Sequence, residues 1–322
     1  MAFRISDSTI FGTAIRQAQL NRFELTRLQS QVSTGKRVIS VGDDPSAANQ
    51  ILGLRRTLSR IDQFKHNVDA ARSSLEPVES ALASLTDVLI RLRELAVSAD
   101  IEQDQFDSIK VEVEQLFDEV LSLSNTRVSG RYMFAGFATD APAFTRVGAF
   151  VDGVVDTSVP PEPYGRYDGD NGVLRIEIGE ATTIDASVTG RVVFLGSNNG
   201  DDTPDGSNVD IFDVIRDFRN RLEDPAGQGP PADVVANLDA ALNQVLLVVG
   251  TIGATSNRMD IAETQLQSLE ITLSEQHSSL EGSTPDDQIA ATTELLQREH
   301  TFQTSLAVTA RIIQPSLLNF LS

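Results

Sequence analysis

Apolar residues recur along this chain at alternating steps of three and four. A first series runs Phe11, Ala14, Ala18, Asn21, Leu25, Leu28, Val32. A second runs Leu54, Thr57, Ile61, Phe64, Val68, Ala71, Leu75, Val78, Leu82, Leu85, Leu89, Leu92, Ala96, and a third Phe106, Ile109, Val113, Leu116, Val120, Leu123. A fourth begins at Leu238 and continues Ala241, Val245, Val248, Ile252, Thr255, Met259, Ala262, Leu266, Leu269, Leu273, Gln276, Leu280. The last stretch repeats the pattern more loosely at Leu296, Gln303, Leu306, Ala310, Ile313, Leu317 and Phe320. Steps of this kind lay one apolar seam along a helix, the a/d rule of a left-handed coiled coil. A helix over residues 47–96 would extend roughly 75 Å at 1.5 Å per residue. The pattern predicts a long, coiled-coil-like helical rod made by the N-terminal and C-terminal arms.

Breakers and caps punctuate the seams. Pro77 should remove a backbone bond and kink the second helix, and Pro315 should end or bend the last one. Gly250 and Gly253 weaken the fourth series by roughly 1 kcal/mol each, unless they admit a neighbouring backbone. Asp44 reads as the N-cap of a helix with Pro45 at its first position, at the junction between an arm and the rod; a cation site at Asp43-Asp44 is the alternative. Ser283-Thr284-Pro285-Asp286-Asp287 reads as another helix start.

Residues 136–207 differ. They hold 11 of the 21 glycines and 5 of the 12 prolines. Val173–Ile178 alternates with period two, so Leu174, Ile176 and Ile178 share one face of a strand, and Arg191–Leu195 is a second strand candidate. Tyr167–Gly172 and Asn198–Asp202 read as turns, and the whole as a small sandwich or barrel-like module. The expected fold is mainly α with an inserted β domain (α+β). Its parts are a terminal assembly domain (1–45 and 283–322), a helical rod domain (46–135 and 208–282) and a small outer β-rich insert (136–207).

The arms carry more apolar surface than one seam can bury. Phe3, Ile5, Ile10, Ile15 and Leu20 lie off the first stripe, and Leu295, Phe302, Ile312 and Leu318 off the last. An isolated helix of about 20 residues is marginal in water. The expectation is that both ends stay loose in the protomer and order against neighbouring subunits. Folding of both ends onto the rod in cis is the alternative. The residues expected at the assembly interface are Phe11, Ala14, Ala18, Leu25, Leu28, Val32, Leu296, Leu306, Ala310, Ile313, Leu317 and Phe320.

Charge and composition narrow the function. The 322 residues carry 26 Lys+Arg against 46 Asp+Glu, a net charge of −20. Such a chain is a poor partner for nucleic acid, where phosphate neutralisation supplies the affinity. The charge is uneven: residues 1–72 hold 11 basic and 6 acidic side chains. Opposite-sign regions suit head-to-tail contact between copies, a solvated face being the alternative. With no cysteine, disulfides, thiolate metal sites and a Cys nucleophile are excluded, and 3 histidines leave little for acid–base chemistry. The start, MAFRISDSTI, lacks an apolar signal core, and the longest strictly apolar run, Val245–Val249, is far short of the roughly 20 residues of a membrane span. A soluble chain without a cleaved signal peptide or membrane insertion is expected.

Catalytic and ligand motifs fall short. Thr34-Gly35-Lys36-Arg37 ends like a phosphate loop, but Ser30 replaces its first glycine and Arg37 its hydroxyl residue. Asp201–Gly206 hints at a calcium loop, yet Phe212 stands where the glutamate belongs. His66, His277 and His300 lack ligand spacing and read as solvated. No enzyme activity, cofactor or metal is expected.

Both ends carry a specific resemblance. Leu25-Thr26-Arg27-Leu28-Gln29-Ser30-Gln31-Val32-Ser33-Thr34-Gly35-Lys36-Arg37-Val38, followed by Asp43-Asp44-Pro45-Ser46-Ala47-Ala48, resembles the N-terminal signature of the flagellin family. Val249-Gly250, Ala254, Asn257-Arg258-Met259 and the closing Ser305-Leu306 and Ser316–Leu321 resemble its C-terminal partner. Gly130–Phe137, Pro142-Ala143-Phe144 and Tyr167–Asp170 resemble family members that join the flagellar hook to the filament. The resemblance implies an extracellular tube, with paired termini inside, the rod helices around them and residues 136–207 outermost. It implies export without cleavage through the flagellar type III apparatus. Implied partners are copies of the chain in a ring, the first hook-associated protein, flagellin and an export chaperone. A filament-forming flagellin and an intracellular coiled-coil scaffold remain alternatives. Leu89–Val97 is also similar to the flagellin segment seen by host receptors, which would make the chain an immune-stimulating surface ligand.

Overall fold

The computed structural model describes residues 7–101, 106–147, 165–198, 200, 203–223 and 232–320. Helices dominate: α1 (Asp7–Thr34), α2 (Pro45–Ile101), α3 (Phe106–Ser124), α4 (Ile211–Glu223), α5 (Ala232–Glu281) and α6 (Pro285–Phe320). Between α3 and α4 lie short strands β1 (Arg127–Val128), β2 (Arg131–Tyr132), β3 (Phe144–Arg146), β4 (Gly165–Tyr167), β5 (Arg175–Gly179) and β6 (Thr182–Asp185). The fold is mainly α with a small sheet-bearing insert, as the apolar periodicity predicts. Packing divides the chain into two units, residues 1–62 with 267–322, and residues 63–266.

In the unit of residues 63–266 the seams become core. Every member of the second series from Phe64 to Ala96 is buried, and so are Leu238, Val245, Ile252 and Met259 of α5. α2 continues through Pro77. Leu75, Val78 and Leu82 are buried on either side of it, and that packing offsets the lost backbone bond. Gly250 and Gly253 face open space within the protomer, so the close backbone approach considered for them is not made here.

The insert departs from a sandwich or barrel. The described strands form three separate antiparallel pairs, β1–β2, β3–β4 and β5–β6. β5 pairs with β6 through Ile176 and Ile184, and Ala181 turns the hairpin at φ 59°. Arg191–Leu195, expected as a strand, is a π-helical turn closed by Gly196 at φ 67°. Its Val193, Phe194 and Leu195 are all buried, a continuous apolar run that periodicity alone does not resolve into strand or helix. Of the turn expected at Asn198–Asp202, Asn199, Asp201 and Asp202 lie outside the described residues.

These small pairs hold together because the insert shares an aromatic core with the helices. Phe144 meets Phe194 at 5.2 Å, Phe212 at 5.1 Å and Tyr167 at 5.1 Å between ring centroids, and Phe117 of α3 meets Phe212 at 5.6 Å. Offset and edge-on aromatic pairs add about 0.5–1.5 kcal/mol each beyond area burial. Polar side chains tie the insert down as well. Asn125 Nδ2 donates to the Phe144 carbonyl at 2.8 Å, and its Oδ1 accepts the Phe144 amide at 2.9 Å. Gln244 Nε2 donates to the Val193 carbonyl at 2.8 Å, and its Oε1 accepts the Val209 amide at 3.0 Å.

In the unit formed by the two ends, α1 packs on α6. α6 does not end at Pro315 but continues through it to Phe320. The helical stretch Asp233–Val308 contains an 18-residue window long and apolar enough, by composition, to cross a membrane.

Candidate assembly surface

Pairing α1 with α6 covers one stripe of each helix and leaves the others open. Leu28 is 3% exposed, and Ala18, Leu25 and Val32 are half-buried. Leu296, at 62%, Leu306, at 46%, and Ala310 remain exposed. Phe11, Ala14, Ile313, Leu317 and Phe320 lie on the helices, with side chains outside the description. The expected interface residues therefore do not form one set. Leu28 belongs to the protomer's own interior, whereas Leu296 and Leu306 face away from it. Leu20 and Phe23 on α1, and Ile289 and Val308 on α6, are further exposed apolar side chains. Phe23 and Ile289 were missed because they fall outside the three-and-four count.

The ends of the helices are fixed by capping. Asp44 Oδ1 accepts the amides of Ser46 at 3.1 Å and Ala47 at 3.0 Å, with Pro45 as the first residue of α2. The Ala47 amide holds the Asp44 carboxyl below its ordinary pKa, helped by the Ser46 amide and Arg37. Thr284 and Asp287 bond reciprocally at the start of α6, the Asp287 amide lying 3.3 Å from Thr284 Oγ1. Gly35, at φ 69°, ends α1, where a residue with Cβ would be strained.

Between α1 and α2, residues 35–44 meet the end of α5 at Glu281. Glu281 is buried, with Lys36 Nζ at 3.1 Å and the Arg55 guanidinium against its carboxylate. His277 Nε2 stands 3.5 Å away and accepts from Arg55 Nε at 3.1 Å. Burial raises the Glu281 pKa, but hydrogen bonds from Lys36 and Arg55, with the Lys36 charge, outweigh it and hold the carboxyl below its usual value. His277 is thus a partner in the polar cluster around Glu281 and not a solvated histidine. Lys36, in the stretch whose phosphate-loop motif is incomplete, pairs with Glu281. The sequence clue to this cluster is slight: Glu281 directly follows the seam residue Leu280 and precedes Gly282.

Long helices with seams, a small insert and apolar terminal faces left open define a structural protein of flagellin-like architecture. Two family models match. Bacterial flagellin N-terminal helical region covers residues 5–139, and bacterial flagellin C-terminal helical region covers residues 235–321. The chain belongs to the flagellin family, a family of structural flagellar proteins. It is 25% identical over 273 residues to flagellar hook-associated protein 3 of Escherichia coli (strain K12), covering 80% of this chain and 81% of that protein. It is 27% identical over 209 residues to flagellar hook-associated protein 3 of Salmonella typhimurium, covering 63% of this chain and 61% of that protein. Among solved structures, a putative flagellar hook-associated protein from Vibrio parahaemolyticus shares the fold. Its TM-score is 0.61 at 19% identity, with 74% of this chain and 100% of that chain covered.

Proposed function

We propose that the protein is a structural subunit of the bacterial flagellum that joins the hook to the flagellin filament. In this reading copies of the chain form a ring between the first hook-associated protein and flagellin. The ring adapts a bending hook to a stiffer filament, and contact surfaces rather than a reaction are its working parts. The observation that carries the reading is the extent of the likeness to hook-associated protein 3. An alignment over 80% of the chain has to pass through the insert at 136–207, of which the two helical family models reach only residues 136–139. Residues 1–45 and 283–322 form the assembly part, residues 46–135 and 208–282 the rod, and residues 136–207 face outward. Leu296 and Leu306 supply contact surface, since each exposed leucine gains about 1.5–3 kcal/mol only when covered. The chain leaves the cell uncleaved through the flagellar export route, escorted by a chaperone, and it has no enzymatic role.

Deletion of the coding sequence tests this. The expected outcome is intact hooks with flagellin shed into the medium, and electron microscopy of the labelled protein on wild-type cells should place it in a thin zone beyond the hook. A normal filament on the deletion strain would overturn the assignment. Label running along the whole filament would favour a filament-forming flagellin instead.

A further inference from the structure

The loop between α1 and α2 has little apolar packing to hold it. Val38 is buried, in a small cluster with Ala47, Ala48, Ile51 and the partly buried Leu280. Ile39 and Val41 are exposed. Yet the loop is ordered by polar groups along its length. Asp43 Oδ2 accepts the amides of Ile39 at 3.1 Å and Ser40 at 2.8 Å. Gln31, itself buried, donates to the Arg37 carbonyl at 2.7 Å. The Arg37 and Val38 amides both reach the Glu281 carbonyl, at 2.7 and 3.2 Å, and Arg37 Nη2 reaches the Leu280 carbonyl at 3.2 Å. A Cβ on Gly282 would lie 2.4 Å from Arg37 Cβ, so the backbone of the α5–α6 turn approaches the loop as closely as glycine allows.

We propose that residues 35–44 are a strap that the buried Glu281 carboxylate locks against the end of α5. Lys36 comes from the strap and Arg55 from α2, so one anion ties two segments far apart in sequence to a third. Each cation is partly exposed while Glu281 is not. Loss of the anion therefore frees Lys36 and Arg55 into water and removes the charged tie to α5, leaving the strap held by Val38, its backbone bonds and the hydrogen bonds of Gln31 and Arg37. Closed, the strap presents Ile39 and Val41 to solvent at a fixed place beside the start of α2. The lock acts within the single protomer and does not depend on what the protein assembles with.

Trypsin reads the strap directly, because Lys36 and Arg37 are its cleavage sites and cleavage tracks the open population when opening is fast. Glu281→Gln in the full chain should speed cleavage after Lys36 and Arg37 about tenfold, and Arg55→Gln by a smaller factor. Cleavage after Arg93, inside α2, should stay at the wild-type rate. Salt near 1 M, where the Debye length is about 3 Å, should speed strap cleavage in the wild type and leave Glu281→Gln unchanged. If Glu281→Gln accelerates Arg93 equally, Arg55→Gln decides: acceleration confined to the strap supports the lock, and a wild-type rate overturns it. Wild-type strap cleavage in both variants also overturns it.

Discussion

Asp210 caps α4 from a position nearly sealed from water. Its Oδ1 accepts the amides of Phe212 at 2.8 Å and Asp213 at 3.2 Å. Burial pushes the carboxyl up to about 7, with the neighbouring Asp213 charge adding to it and the two amides and Arg216 opposing. The folded state therefore keeps a proton that the unfolded chain, near its ordinary 3.8, gives up. Between those values the unfolded state binds fewer protons, so this residue makes stability fall as pH rises. Asp210→Asn keeps an oxygen for the amides and removes the ionisation. Urea unfolding from pH 4 to 8 should show the wild type losing stability relative to Asp210→Asn toward pH 7. A constant difference between them would refute the assignment. Glu281 works in the opposite sense, its stabilising contribution being lost as pH falls through its lowered folded pKa. Neither carboxylate stands out in sequence, where both are ordinary acids near helix ends. Their behaviour comes from what folding places against them.

At the scale of elements, the helices follow from their apolar periodicity while the insert's order follows from contact. The Arg191–Leu195 turn packs against α4, and Gly190 precedes it with the Phe134 carbonyl 2.7 Å from its amide. A Cβ on Gly190 would lie 2.5 Å from the Phe144 ring. That ring touches Phe194, Phe212 and Tyr167 and has nowhere to move. Gly190→Ala should thus cost about 1–3 kcal/mol by overpacking, measured by urea unfolding. At Gly250, where the surroundings are open, the same change should be neutral or stabilising by up to about 1 kcal/mol. The strand expected at 191–195 failed because five apolar residues in a row fit either a buried strand or a buried helical turn, and the aromatic cage decides between them.

For the whole molecule, the open faces of α1 and α6 separate folding from assembly. Leu296→Asp and Leu306→Asp place a charge on surface that is already exposed, so protomer stability should change by no more than about 0.5 kcal/mol. Both should block incorporation into flagella, because burying that charge between subunits is costly. Leu28→Asp strikes the buried side of α1 and should instead destabilise the protomer by about 3 kcal/mol or more. Circular dichroism with thermal melts, alongside immunoblots of purified flagella, checks both. Normal incorporation of Leu296→Asp and Leu306→Asp would show that these faces are not contacts.

The sequence by itself determined the helices, their seams and caps, and the excess of apolar surface at both ends. These are local properties, written in spacings of three and four and in the residues that start and stop a turn. Only the tertiary structure decided which stripe each terminal helix buries, how residues 191–195 fold, and that Glu281 gathers Lys36, Arg55 and His277. Those outcomes depend on groups far apart in the chain competing for the same space and charge, and no periodicity within one segment records that competition.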